Sequence, residues 1–464
     1  MTLRIHDTAT RQTVPFAPID PAHIRMYVCG PTVYDRIHIG NARPAVIFDV
    51  LYRLLKRLYP RVTYVRNITD VDDKINARAA ERGIAIRDLT EGTAAAYRDD
   101  TKAMGCLPPD VEPRATEHIA EMQDIISRLI TLGHAYEADG HVLFSVPSWK
   151  NYGAFARKDR DEQIAGARVD VATYKRDPAD FVLWKPSEGS TPGWDSPWGY
   201  GRPGWHIECS AMSEKHLGPN FDIHGGGLDL IFPHHQNEIA QSCCANPGST
   251  FAKYWMHNGY LLSEGEKMSK SLGNFYTVAE LLEEAPGEAL RLILLKTHYR
   301  APLDFTKAKL IEAKTELDRL YGVIADVGDI PEFEDVTEGD MPIVQILKED
   351  LNTPQAIAYL HTKAKQINQA KSGGVPLDDP YLLQDLSMFR WSASLLGLLQ
   401  QDPKTWFQGG SDVDAGRIEA LIAERLAAKK AKDFVRADAI RAELLAEGIA
   451  LEDKPGGVTE WRRA

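Results

Sequence analysis

Apolar residues recur at helical spacing in "NARPAVIFDVLYRLLKRL" (41–58): Val46, Phe48, Leu51, Leu54, Leu55 and Leu58. That period predicts an amphipathic helix. The short apolar runs on either side, "IRMYVCG" (24–30) and "VTYVRNITD" (62–70), read as buried strands. Strand, helix and strand in close succession form a βαβ unit, which implies a parallel sheet. Helices are expected to fill much of 73–133. "HAYEADGHVLFSV" (134–146) has two β-rich halves around a turn and predicts a hairpin. Residues 147–203 are rich in Gly, Pro and Trp and read as irregular, an insertion in the first domain. The α/β pattern resumes with a strand at "FDIHGGGLDL" (221–230) and a helix at "PHHQNEIAQSCCA" (233–245), with Pro233 suited to its first turn. "KYWMHNGYLL" (253–262) is strand-like, and "SEGEKMSKSLGN" (263–274) is a charged loop. From position 276 the pattern turns almost wholly helical, broken by loops at 325–340 and 372–380 and a linker at 402–416. Two charged helices and a short β-like tail follow. No internal repeat is evident.

Composition narrows the class. The chain has 464 residues, 44% hydrophobic and 26% charged, which fits a globular protein of several domains. No apolar run reaches the roughly 18 residues of a membrane span. The N-terminus, "MTLRIHDTATRQ", has no apolar signal core and no lipidation motif. Five scattered cysteines (Cys29, Cys106, Cys209, Cys243, Cys244) are too few for a disulfide framework. They point to a reducing cytoplasm, where a special cysteine serves as ligand or nucleophile. A net charge of −12 excludes a basic nucleic-acid coat. It leaves room for a structured RNA held by local basic patches, because screening confines electrostatics to about 8–10 Å.

Two constellations carry chemistry. In "HHQNE" (234–238), His234 and Glu238 are four apart and share one helix face, a spacing that presents two metal ligands. Zinc accepts Cys, His and carboxylate and takes four donors. Candidate sulfurs are Cys29, at the end of a strand, and Cys209, in "GWHIECSAM". His224 and His235 are rival ligands, and spacing alone does not choose among them. A bare His-x-x-x-Glu is common on solvated helices. Cys243 and Cys244 read as buried thiols and Cys106 as structural.

The second constellation is a pair. "HIGN" (38–41) sits between strand and helix, and Gly40 lets backbone approach a phosphate at the helix N-terminus. "KMSKS" (267–271) puts Lys267 and Lys270 in a loop, where they can neutralise a departing pyrophosphate. Either string alone could be an ordinary solvated turn. "HGGGLD" (224–229) adds close backbone approach at Gly227 and a carboxylate, Asp229, suited to a ribose diol.

This pair resembles the two signatures of class I aminoacyl-tRNA synthetases. "MYVCGPTVYDRIHIGNARP", "YVRNITDVDDKI", "GARVDV", "FVLWKPS", "GRPGWHIECSAM", "FDIHGGGLDLIFPHHQNEIAQS" and "EKMSKSLGN" resemble the cysteinyl-tRNA synthetase family in particular, and the likeness runs through essentially the whole chain. The commonest form of the first signature ends in His. Asn41 stands there instead, and since Asn can still donate a hydrogen bond, modest retuning is expected.

The resemblance implies ATP-dependent activation of L-cysteine to cysteinyl-adenylate and transfer to the 3′ end of tRNA(Cys). It implies a Rossmann-like catalytic domain (1–305, with an insertion about 105–203), a helical bundle (306–403) and a C-terminal anticodon-binding α/β module (411–464). It implies one Zn²⁺ per chain on Cys29, Cys209, His234 and Glu238, binding the substrate thiolate, and Mg²⁺ with ATP. His38, Gly40, Asn41, Gly227, Asp229 and Lys270 fall on ATP-binding positions. His38, Asn41, Lys267 and Lys270 fall on catalytic ones. Thr69 and Trp205 fall on the cysteine pocket, and Trp205 as plain core is the alternative. Shape alone separates cysteine from serine by only about 1–3 kcal/mol. A soft metal contact can supply the rest, so no editing domain is expected.

Residues 411–464 hold 10 Lys+Arg and 11 Asp+Glu. Positive charge clusters in "RLAAKKAKDFVRADAIR" (425–441), and the chain closes on "WRR" beside Ala464, a set suited to stacking and phosphate contact. A solvated amphipathic helix is the plain alternative. The runner-up function is a cysteine ligase that passes cysteine to an amino-sugar amine. Such ligases share the core and lack the C-terminal module. A non-catalytic zinc-containing RNA-binding protein is the third reading, and the intact pair of signatures argues against it. The expected state is a cytoplasmic monomer without membrane association.

Overall fold

The computed structural model describes residues 2–159, 161–162, 173–189, 191–268, 272–333, 341–408, 414–453 and 457–463, with Lys267 described by its backbone. "GARVDV" (166–171), Lys270, and residues 334–340 and 409–413 of the expected loop and linker lie outside them. The chain divides into two compact units. The first comprises Met1–Ala313, Glu334–Tyr359 and Leu395–Leu398; the second comprises Lys314–Phe333, Leu360–Ser394 and Leu399–Ala464.

Two short strands, β1 (Arg4–Asp7) and β2 (Gln12–Pro15), open the first unit as a hairpin that the apolar pattern does not announce. Strand β3 (Ile24–Val28) leads into helix α1 (Ile39–Leu58), which returns to β4 (Val62–Arg66). This is the expected βαβ unit, with α1 starting two residues earlier than its apolar period suggests. The buried stripe of α1 includes Val46, Phe48, Leu51, Leu54 and Leu55, and Lys56 and Arg57 sit in its last turn, where cations favour the helix dipole. Helices α2 (Asp73–Arg82), α3 (Ile86–Ala103) and α4 (Ile119–Thr131) occupy much of 73–133.

The expected hairpin is β5 (Ala135–Ala138) and β6 (His141–Phe144). Here the reading of 147–203 as irregular is corrected. β7 (Phe181–Pro186) and β8 (Gly201–Pro203) extend that hairpin into a four-stranded antiparallel sheet, β5-β6-β7-β8. Proline and glycine at strand ends hide these strands from a propensity reading. Burial of Phe181, Leu183 and Trp184 reveals them, with Trp198 packed edge-on to Trp184 at 6.0 Å.

β9 (Asn220–Gly227) and β10 (Phe251–Asn258) complete a parallel sheet in the order β10-β9-β3-β4. The connections diverge between β3 and β9, since β4 lies on one side of β3 and the later strands on the other. Ligands bind at the strand carboxyl ends beside such a switch point, and Cys29 follows β3 there. Gly30 comes next, so close to the Asn67 carbonyl beyond β4 that an added Cβ would lie 1.6 Å from its oxygen.

The expected helix at 233–245 is shorter. Its regular α-helical part is Gln236–Ala245, and 231–235 form a wider turn that contains Pro233 and His234. β11 (Leu261–Ser263) pairs antiparallel with β12 (Glu266–Lys267) and parallel with β13 (Leu303–Phe305), so part of the charged loop is a tight hairpin. Among the described residues, no helix is long and apolar enough to cross a membrane.

In the second unit, the helices Ala415–Lys430 and Phe434–Ala446 pack with the hairpin β14 (Ile449–Asp453) and β15 (Thr459–Arg463). Ile418, Ile422, Ile440, Leu444, Ile449, Leu451 and Trp461 make a core of their own. The two charged helices and the β-like tail of the sequence reading are this module.

Candidate active site

Three elements supply a thiol, imidazole and carboxylate cluster at the switch point. Cys29 comes from the end of β3. Cys209 comes from the first turn and a half of the helix Trp205–Leu217. His234 and Glu238 come from the turn and helix after β9. Ligand atoms of these four residues all lie within 4.8 Å of one another. Sγ of Cys29 is 3.8 Å from Sγ of Cys209 and 3.7 Å from Oε1 of Glu238. His234 Nε2 is 3.0 Å from the same Oε1, so the i, i+4 pairing survives although His234 precedes the regular helix. A tetrahedral zinc with bonds of about 2.0–2.3 Å holds its donors roughly 3.3–3.8 Å apart. The observed spacings fit that with small adjustments.

A second set, Cys29, His224, His235 and Glu238, is equally compact. His235 Nε2 lies 3.3 Å from the Cys29 sulfur and 3.9 Å from Oε1 of Glu238. His224 Nε2 meets the other carboxylate oxygen, Oε2, at 2.9 Å. The two rivals left open by the sequence therefore both reach the cluster.

Its electrostatics follow from burial and mutual charge. The Cys209 thiol is drawn down to about 6 by its hydrogen bond with Cys29, helped by the positive His234. Burial opposes protonation of His234, but Glu238 and Cys209 outweigh it and hold the ring up to about 10. Burial likewise opposes ionisation of Glu238, and His224 and His234 overcome it, pulling the carboxyl down to about 2. Burial pushes the Cys29 thiol up, reinforced by Cys209 and Glu238. Trp205 stacks on His234 at 4.2 Å and 21° and is half-buried beside the cluster. His206 Nδ1 is 3.0 Å from His234 Nδ1.

Residues that sequence reasoning did not single out hold this cluster in place. The Asn67 side chain accepts from the Gly30 N–H at 2.9 Å, donates to Thr69 Oγ1 at 3.1 Å, and lies 3.8 Å from the Cys209 sulfur. Glu208 is buried against Thr69 with Oε2 unpartnered, and burial raises its carboxyl well above the usual range. His257 links His235 Nδ1, 2.8 Å away, to Thr8 Oγ1. Only a residue type buried beyond its usual habit could have flagged them, and burial is not visible in one sequence.

The "HIGN" turn is the N-terminus of α1. His38 is its N-cap: Nδ1 accepts the Gly40 N–H at 3.1 Å, and Asn41 Oδ1 accepts the His38 N–H at 3.3 Å, a reciprocal capping box. Burial lowers His38 to about 4, against the pull of nearby Asp229. The ring is therefore neutral at pH 7, and with Nδ1 accepting, its proton sits on Nε2. Gly40 faces the second signature: an added Cβ would come within 3.0 Å of the Met268 methyl. Backbone bonds from Ile39 N–H to the Tyr276 carbonyl and from Val278 N–H to the Ile37 carbonyl tie the turn to the segment after the loop. Asp229 is exposed at the end of β9 and leans over Gly227, where a Cβ would lie 2.5 Å from Oδ1. His38, Gly40, Asn41, Gly227, Asp229 and the backbone of Lys267 thus belong to the carboxyl-end face of the first unit, as do Thr69 and Trp205.

Residues 15–315 match the family described as tRNA synthetases class I (C) catalytic domain, and residues 344–400 match the DALR domain. The chain is 59% identical over 476 residues to the cysteine–tRNA ligase of Rhodospirillum rubrum, covering all of both chains. It is 58% identical over 462 residues to that of Acidiphilium cryptum, covering all of this chain and 99% of the relative. Among solved structures, methionyl-tRNA synthetase of Mycobacterium tuberculosis in complex with methionyl-adenylate aligns with a TM-score of 0.56 at 15% identity, over 81% of this chain and 88% of that one. A putative arginyl-tRNA synthetase from Campylobacter jejuni aligns at 0.53 and 13%, over 82% and 93%. Likeness at that identity is a likeness of fold.

Proposed function

The chain belongs to the cysteine–tRNA ligase family of class I aminoacyl-tRNA synthetases, and we propose that Cys29, Cys209, His234 and Glu238 hold a zinc ion beside an ATP site built on His38, Gly40, Asn41, Gly227, Asp229, Lys267 and Lys270. The protein attaches cysteine to tRNA(Cys) using ATP. The observation that supports the zinc reading is the division of Glu238: Oε2 is taken by His224, while Oε1 faces the Cys29 sulfur and His234. A carboxylate fixed through one oxygen by a buried histidine is the usual outer support of a ligand that binds through the other. Two sulfurs in the set suit a soft, tetrahedral metal.

When bound there, zinc supplies a site that favours a deprotonated thiol and prefers it to a hydroxyl. This chain's residues do the remainder. Trp205 and Thr69 border the space for the amino acid. The cysteine carboxylate attacks the α-phosphorus of ATP, and the bond to pyrophosphate breaks. A 2′-hydroxyl of the terminal ribose of the tRNA then attacks the adenylate carbonyl, and AMP leaves. His38 donates from Nε2 to a phosphate oxygen. Lys267 and Lys270 neutralise pyrophosphate as it departs, with Mg²⁺ accompanying ATP. Asp229 accepts from the ribose hydroxyls over Gly227. No protein nucleophile is needed, because positioning and charge stabilisation carry both steps. The setting that goes with this reading is a monomer in a reducing cytoplasm, where five free cysteines stay thiols.

The test is to incubate metal-replete protein with ATP, Mg²⁺, labelled cysteine and unfractionated tRNA, and to count acid-precipitable label. Charging with cysteine and not with serine is expected. Cysteine-dependent ATP–pyrophosphate exchange without charging would point to an amine acceptor. Exchange that survives removal of the metal would overturn the zinc reading.

A further inference from the structure

Arg43 lies one turn into α1 and is fully buried, yet none of its four hydrogen bonds goes to a carboxylate. Nη1 donates to the carbonyls of Gly259 (2.8 Å) and Tyr260 (2.9 Å). Nη2 donates to those of Ala301 (2.7 Å) and His298 (3.2 Å). Gly259 and Tyr260 immediately precede β11, and His298 and Ala301 precede β13. These strands pair from Leu261 with Leu303 onward. One guanidinium therefore closes the open end of the β11–β13 ladder. Burial without a counter-ion lowers its pKa to about 10, and carbonyl dipoles hold the charge.

The junction is tight from the other side as well. A Cβ on Gly259 would lie 2.6 Å from the Ala301 carbonyl oxygen and 2.7 Å from that of Arg300. Gly259 N–H also donates to the Tyr299 carbonyl at 2.7 Å, and Leu303 N–H to that of Tyr260 at 3.0 Å. β11 turns directly into β12, which ends on Lys267 at the head of "KMSKS". The same helix that carries Arg43 begins with the "HIGN" turn. Arg43 is thus a buried side chain that ties the helix under the first signature to the strands under the second.

We propose that Arg43 is a positioning residue that sets the separation between the His38 turn and the strand bearing Lys267, and so governs adenylate formation without governing cysteine binding. The inference rests on the ATP reading of those two segments given above. Arginine is required because its planar fork serves four acceptors in two directions. A lysine offers three donors from one point and does not span both pairs of carbonyls, so the bridge between the two strands is lost and the Ala301 carbonyl loses its arginine donor.

The test compares Arg43→Lys and Gly259→Ala with Arg291→Lys. Arg291 is another buried arginine, bonded to the Leu396 carbonyl and to Asp49, about three turns along α1 from the His38 cap. For each, ATP–pyrophosphate exchange gives kcat and the KM values for ATP and cysteine; bound metal and the thermal midpoint are measured alongside. Arg43→Lys and Gly259→Ala are expected to lower kcat at least tenfold, with the KM for cysteine within twofold and metal content unchanged. Arg291→Lys is expected to lower the midpoint comparably with kcat within threefold. Wild-type kcat in Arg43→Lys, or an equal kcat loss in Arg291→Lys at equal midpoint, overturns the inference. If Arg43→Lys does not fold, Gly259→Ala decides by the same criteria. Lys270→Ala separates the two layers. If it keeps exchange, the ATP reading fails; if it loses exchange while Arg43→Lys keeps it, this inference fails alone.

Discussion

Glu238 shows how much turns on a single side chain. Its carboxylate is fully buried, and its two oxygens face two different histidine groups. The assignment of ligands depends on which oxygen a metal would use. With Oε1 as ligand, Cys209 and His234 complete the set, and His224 and His235 support it from outside. Cys209→Ser and His234→Ala should then lose stoichiometric zinc on dialysis. His235→Gln should retain it with affinity reduced by about 10–100-fold, the usual effect of an outer partner. Atomic absorption after dialysis against a graded chelator reads this. If His235→Gln empties the site while Cys209→Ser keeps its metal, the other donor set is the ligand set. Spacing made the His234 and Glu238 pair legible in the sequence and left Cys29 and Cys209 as candidate sulfurs, but choosing these four over His224 and His235 took the family resemblance. Asn67, Glu208 and His257 were not legible, although the first two lie inside stretches that carry the family resemblance, because their roles rest on burial and long-range contacts that no spacing shows.

At the scale of elements, the N-terminus of α1 carries two tasks in one turn. Asn41 accepts from the His38 N–H and so closes the helix cap, and the proposed ATP site uses the same residue. Substitutions separate the tasks. Asn41→Ala removes the acceptor of the His38 N–H and should cost about 1 kcal/mol of stability, the net worth of one hydrogen bond. Asn41→Asp keeps an acceptor and adds a negative charge that favours the helix N-terminus, so stability should hold. That charge faces the phosphates, so the KM for ATP should rise at least tenfold. Thermal unfolding and pyrophosphate exchange measure the two effects; an Asp variant with unchanged KM for ATP would remove Asn41 from the ATP site. The helix itself was legible because Val46, Phe48, Leu51, Leu54 and Leu55 recur at helical spacing, although its middle, residues 45–52, is buried on all sides. β7 and β8 were not, since Pro186, Gly201 and Pro203 mask strands whose pairing is made by long-range packing of Trp184. The start of the Gln236 helix was misjudged because the turn at 231–235 keeps a helical spacing of side chains without a regular helical backbone.

For the whole molecule, the question is which unit performs which step. The parallel sheet, the thiol cluster, the α1 cap and the Arg43 junction all lie within the first unit. The C-terminal module has its own core around Ile440 and Trp461 and a buried arginine, Arg425, paired with Asp453 at 2.8 Å. Among the described residues, every group of the candidate site belongs to the first unit, and the near-neutral charge of 411–464 makes any RNA contact there local rather than a general attraction. A chain ended after Gln408 should therefore keep cysteine-dependent pyrophosphate exchange within threefold of the full chain. Its kcat/KM for tRNA charging should fall at least 100-fold, because the groups for adenylate formation are intact and the RNA contact expected of residues 411–464 is gone. Filter binding of labelled tRNA would show the same loss, with cysteine binding unchanged. Charging that persists in the shortened chain would take the C-terminal module out of tRNA recognition and reopen the amine-acceptor reading, whose ligases do without such a module. Loss of exchange as well would mean that the module is needed for the catalytic unit itself, against the separate cores seen in the fold.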